Sequence, residues 1–167
     1  MRRELIVAAL ALAAGAAQAD CTVVFGQARN PRLLGGPNWD DINKRFNMAV
    51  ADTLQAGGLN TRPMSASSAD TDVQAVGRTL LKQADKLGCS ALVETTVFAD
   101  EQGTLVLRLR AYPLLPLIGA GGTVEGLRIG EQRFVTQRDL PPAALLRMDS
   151  DALAAQMAAE YLQRERR

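Results

Sequence analysis

The sequence predicts an α/β fold, an α+β two-layer sandwich in which a mixed sheet of about five strands follows the order β-α-β-α-β-β-β-α, with helices mainly on one face. Three observations predict it. Apolar or alternating runs recur at 21–25, 90–112 and 125–140, segments with apolar residues every three or four positions lie between and after them, and Gly, Pro, Asn or Asp marks the junctions.

The first nineteen residues read as a leader rather than as part of the fold. Arg2 and Arg3 precede an apolar run from Leu5 to Ala17, and Ala17-Gln18-Ala19 places small residues at both positions a signal peptidase requires. The run falls short of the roughly 20 residues that span a bilayer, so no integral membrane segment is expected after cleavage. Residues 1–19 are thus assigned to a signal peptide and 20–167 to a single α/β domain exported to the periplasm. Asp20 separates Cys21 from the small residue that lipid modification needs, so a lipoprotein is not expected. The chain has two cysteines, and an even count in an oxidising compartment predicts a Cys21–Cys89 disulfide.

The elements then follow in order. Residues 21–25, CTVVF, form a β-branched strand that stops at Gly26. After a Gly/Pro segment, Asn38 offers an N-cap and Asp40 and Asp41 suit a first helical turn. Trp39, Ile42, Phe46, Val50 and Leu54 trace one helical face up to Gly57. Residues 59–65 read as an edge strand because Pro63 cannot donate within a sheet. A second helix starts near Asp70, carries Val73, Val76, Leu80, Ala84 and Leu87, and closes at Gly88.

Residues 90–112 contain two alternating runs around EQG and predict a β-hairpin. With Gly103 left-handed in a three-residue loop, Val93 faces Ala111, Thr95 faces Leu109 and Val97 faces Leu107, while Glu94 meets Arg110 and Thr96 meets Arg108. A two-residue loop would set Glu94 against Leu109 and mix the faces, so the pattern selects the longer loop. Residues 113–122, PLLPLIGAGG, suit neither helix nor interior strand and are expected to be a loop. Residues 125–140 form a further strand, bulged near Gly130, and a last helix runs from about Asp149 to Arg164 with Leu153, Met157 and Tyr161 on one face.

The chain has no histidine, which removes the commonest general base and transition-metal ligand, and two distant cysteines cannot assemble a usual zinc site. No cofactor, metal or catalytic residue is expected. The charge is nearly balanced, with 19 basic and 18 acidic side chains, and the sole basic cluster, Arg164, Arg166 and Arg167, suits a helix C-terminus, so nucleic acid is not an expected partner. Asp40 and Asp41, or Glu94 with Glu131, are the carboxylate pairs open to acid/base work, but the first pair fits a helix first turn and Glu94 has Arg110 opposite. Trp39 is either a core anchor or a stacking surface for a ligand.

Two features favour protein contact. Leu114, Leu115, Leu117 and Ile118 are an apolar cluster that either meets a partner or tucks over the core. Thr96, Arg108 and Arg110, beside Glu94, form a polar hairpin face open to an acidic partner.

The stretches CTVVF, AVADTLQAGGLNTRP, ADKLGCSALVETTVF and TLVLRLRAY resemble the envelope family that includes the amino-terminal domain of TolB, the curli secretion protein and the lipoprotein activators of penicillin-binding proteins. They cover 44 of the 148 residues beyond the leader. The resemblance implies a non-catalytic domain working through protein contacts, and no functional residue carries over. The expected function is a soluble periplasmic interaction module with an envelope protein as partner. The alternatives are a small-molecule binder or hydrolase with a pocket near Trp39, and a homodimer formed through an exposed sheet edge.

Overall fold

The computed structural model describes residues 20–31 and 33–166, so the leader read at 1–19 lies outside the described residues. The chain forms β1 (Cys21–Gln27), α1 (Trp39–Ala56), β2 (Asn60–Ala66), α2 (Val73–Lys86), β3 (Cys89–Ala99), β4 (Leu105–Ile118), β5 (Val124–Ile129), β6 (Phe134–Leu140), a 3-10 turn (Pro142–Leu146) and α3 (Ser150–Glu165). The sheet runs β2-β1-β3-β4, with β5 and β6 both paired to β4. The α/β class is as the sequence predicts, with β1 parallel to β2 and β3 and the remaining pairs antiparallel.

Local chemistry sets the element ends. Asn38, Asp72 and Asp149 cap the three α-helices, each accepting a hydrogen bond from the backbone N–H three residues on. The second helix therefore begins later than Asp70, whose carboxylate instead accepts from the Ser67 backbone N–H and closes the preceding turn. Gly88 and Gly103 take φ of +70° and +79°, left-handed values that end α2 and turn the β3–β4 hairpin. The hairpin has the register the alternation demands, with Val93 on Ala111, Glu94 on Arg110 and Thr96 on Arg108.

The apolar hairpin face is the main core. Val93, Val97, Leu107 and Leu109 pack there against Phe46, Val50 and Leu54 of α1 and Met157 and Tyr161 of α3. Each such side chain contributes roughly 1.5–3 kcal/mol by leaving water. Helix α2 lies on the opposite face, where Leu80 and Ala84 cover Val23, Leu92, Leu114 and the Cys21–Cys89 disulfide. That bridge links the paired first residues of β1 and β3 and spans 68 residues.

Two expectations need correction. Residues 113–122 are not a free loop: β4 continues to Ile118, and Leu114–Ile118 pair with β5 as a second hairpin. Both prolines fall where a ladder needs no donor. The Pro113 carbonyl accepts from the Gly130 N–H, so its missing N–H points into the break between β5 and β6. Pro116 turns its nitrogen to the other edge, past the end of β3, whose register stops at Ala91 on Pro113. The expected 125–140 strand is divided into β5 and β6. Continuing the Leu114–Ile129 register would set Ala111 against Gln132, but Ala111 faces Phe134, so two extra residues bulge beside Gly130.

Candidate interaction surface

Parallel α/β sheets commonly hold ligands beyond the carboxyl ends of their strands. In this chain asparagines occupy much of that end of the sheet, leaving a small cavity of about 150 Å³ beside Gly26, Asp40, Asn43 and Ser65. The β1–β3 ladder ends at Gly26 on Thr95, and three side chains then continue along the same edge of β3. The Asn47 amide accepts from Thr95 Oγ1 at 2.8 Å and donates to the Val24 and Met64 carbonyls at 3.1 and 3.0 Å. Asn43 accepts from the Val97 N–H and donates to its carbonyl, both at 2.7 Å. Asn30 makes the same pair with Ala99, at 2.9 Å each way. Asn43 and Asn47 share a helical face because they are four residues apart, and Gly26 leaves room for Asn47, whose Cβ would lie 2.9 Å from any added methyl.

The acidic candidates have structural partners. Asp40 accepts from Ser67 Oγ at 2.9 Å and from the Ser68 N–H at 2.7 Å, tying the start of α1 to the turn after β2. Asp41 receives the Asn38 amide. Glu94 meets Arg110 at 2.7 Å, and Glu131 sits in the bulge region between β5 and β6. Trp39 is 7% exposed and belongs to the main core, which makes it an anchor rather than a stacking platform. A cleft of about 350 Å³ does lie beside α2, lined by Phe25, Met64, Val76 and Leu80 with Asp70 and Gln83.

The apolar cluster divides into buried and open members. Leu114 is 6% exposed and packs in the α2-side core, and Leu115 is half-buried. Farther out, Leu117 and Ile118 are 43% and 57% exposed, and β5 adds Val124 at 63% and Ile129 at 42%. The β4–β5 hairpin thus extends past β3 with open apolar side chains on both of its strands. Sequence reading missed Val124 and Ile129 because it placed 113–122 in a loop, so their partners across the ladder were not assigned.

The outer hairpin face also rearranges. Thr96 is buried, 3% exposed, and offers no contact surface to a partner. Arg110 is committed to Glu94, which also lies 3.9 Å from Arg29. Tyr112 sits beside this pair, and its phenol is raised above the ordinary value by burial first and by the Glu94 charge second. Arg108 donates from Nε to Gln137 at 2.7 Å and stacks with its guanidinium carbon 5.6 Å from the Phe98 ring centre; Arg29 stacks on the same ring at 5.4 Å.

Among the described residues no helix is long and apolar enough to cross a membrane. Comparison with protein-family models and with curated proteins finds no match.

Proposed function

We propose that this chain is a non-catalytic protein-interaction module of the bacterial cell envelope, exported to the periplasm and docking an envelope protein through its β4–β5 hairpin. The observation that carries this reading is the set of open apolar side chains on an arm extending past β3, with Ile118 and Val124 paired across the ladder, Leu117 on the opposite face and Ile129 nearer the arm's base. Isolated exposed apolar residues are ordinary, but four of them on one projecting hairpin, two of them cross-strand partners, make an arm suited to contact. The disulfide supports an oxidising compartment. The structural partners of Asp40 and Glu94 and the small size of the cavity beside Asn43 count against hydrolysis. The resemblance to the TolB amino-terminal, curli secretion and penicillin-binding-protein activator type of domain agrees with a role in contact rather than chemistry.

The small-molecule alternative moves from Trp39 to the α2 cleft, whose volume is near the lower end for ligand sites. The homodimer alternative would use the β2 edge, where exposed Arg62 and Pro63 oppose strand addition. A photo-reactive amino acid at Leu117, introduced in living cells, tests the main reading. It should yield a discrete heteromeric adduct; recovery of uncross-linked monomer alone would overturn it.

A further inference from the structure

We infer that Arg29, Phe98 and Arg108 form a clamp for a carboxylate-bearing polypeptide segment. The clamp lies on the half of the outer sheet face beyond α2, where Arg29 follows β1, Phe98 belongs to β3 and Arg108 to β4. Both guanidinium groups pack on one ring, at 5.4 and 5.6 Å from its centre, so Phe98 carries two positive neighbours, one from the β1 side of β3 and one from the β4 side. Their compensation is incomplete. Glu94 is engaged by Arg110 at 2.7 Å and reaches Arg29 only at 3.9 Å, and Arg108 has no carboxylate partner among the described residues. With Nε of Arg108 donating to Gln137, its outer N–H groups keep the fork geometry that grips a carboxylate.

The surroundings select a peptide over a denser anion. Glu94 and Asp139 stand on the same face as the clamp, so an array of phosphates or an anionic membrane would meet repulsion at the flanks. A single carboxylate on an otherwise neutral segment meets less of that repulsion. Val135, 51% exposed and paired with Arg110 across the ladder, offers an apolar neighbour for the residue beside that carboxylate. Aromatic and arginine side chains together are also the composition of energetic centres in protein interfaces.

This inference deepens the interaction reading, yet its test addresses the purified protein, so a failed Leu117 cross-link would leave it standing. The disulfide-bonded full chain, labelled to observe arginine Nε–H signals by NMR, is titrated with a capped heptapeptide containing glutamate, with its glutamine counterpart, and with inorganic phosphate. The glutamate peptide should give saturable shifts at Arg29 and Arg108 that weaken with added salt. Arg108→Ala should weaken binding about tenfold, the loss of one charge-assisted contact, and Arg108→Lys should not restore it because the planar stack is gone. Arg29→Ala, in an exposed loop, gives an independent variant with little risk to folding, and Arg78→Ala on α2 should bind normally. Equal binding of the glutamine peptide, tighter binding of phosphate at the same signals, full affinity in Arg108→Ala, or no saturable shift with the glutamate peptide would each overturn the assignment.

Discussion

Asn43 on α1 hydrogen-bonds both the N–H and the carbonyl of Val97 on β3, so a helix side chain occupies the place of a neighbouring strand. Asn30 does the same work at Ala99, continuing the edge where β1 has ended, while Asn47 accepts from the Thr95 hydroxyl and donates to the Val24 and Met64 carbonyls. A buried backbone pair without a partner is costly, which makes these side chains a stabilising device at the end of the sheet where many α/β folds place ligands.

Asn43→Ala would orphan the Val97 N–H and carbonyl in the core. The expected loss is about 2–3 kcal/mol, the range for buried unsatisfied polar groups. Urea unfolding with an unchanged m-value would measure it. A loss below about 0.5 kcal/mol would show that water or backbone movement replaces the amide.

The Cys21–Cys89 bridge gives a second test. Closing 68 residues corresponds to roughly 4.4 kcal/mol in the chain-entropy model, and measured values usually fall below that ceiling. Replacing both cysteines with serine should therefore cost about 2–4 kcal/mol, because Cys21 and Cys89 are both buried and the serines also lose packing. Equal denaturant midpoints with and without reductant would contradict it.

Much of this architecture was legible because local and long-range signals agreed. Asn38 and Asp149 sit directly before apolar helical spacing, and Gly103 with strict alternation on either side admits one hairpin register. The extension of β4 was hidden because Pro113 and Pro116 forbid interior pairing, and only the neighbours show that no donor is required at either place. The buried asparagines left one clue: Asn43 and Asn47 interrupt the apolar helix face between Trp39 and Val50, and polar residues there need buried partners. The Arg29–Phe98–Arg108 stack was legible in part: the hairpin register sets Arg108 opposite Thr96 and so diagonal to Phe98, but Arg29 comes from the segment after β1 and nothing local tied it to the hairpin.

The chain has two tyrosines, and both titrate above the ordinary value of 10. Tyr161 is pushed up to about 12, by burial first and the Glu165 charge second. For a raised phenol the folded state keeps its proton while the unfolded chain loses it, so this contribution is intact below about pH 10 and is lost as pH rises toward 12. Phenolate absorbance of the folded protein should therefore develop later than in urea. Tyr161→Phe should flatten the fall of stability across that window, and an absorbance midpoint at 10 in the folded protein would contradict both statements.

Glu94 and Arg110 face each other on the outer hairpin surface at 2.7 Å with about a quarter of each side chain exposed, 26% and 23%. A pair this wet should contribute modestly. A double-mutant cycle with Glu94→Gln and Arg110→Gln is expected to give a coupling of about 0.2–1 kcal/mol that shrinks in high salt. Coupling well above this range would mean that Tyr112, whose phenol lies beside Glu94, joins the pair in a stronger network.

The β4–β5 hairpin separates function from stability most sharply. Leu117 and Ile118 are 43% and 57% exposed, whereas Leu114 on the same strand is 6% exposed and packs with Leu80 and Ala84. Replacing Leu117 and Ile118 together by serine should change unfolding free energy by no more than about 0.5 kcal/mol per site, as for other surface substitutions. Leu114→Ala should cost about 2–5 kcal/mol by opening a cavity under α2. If the outer pair serves a partner, the serine variant should lose an adduct formed from a photo-reactive residue at Val124 while unfolding as the parent protein does. Loss of stability in the outer variant, matching that of Leu114→Ala, would assign the whole row to the core and leave the hairpin without a free contact surface.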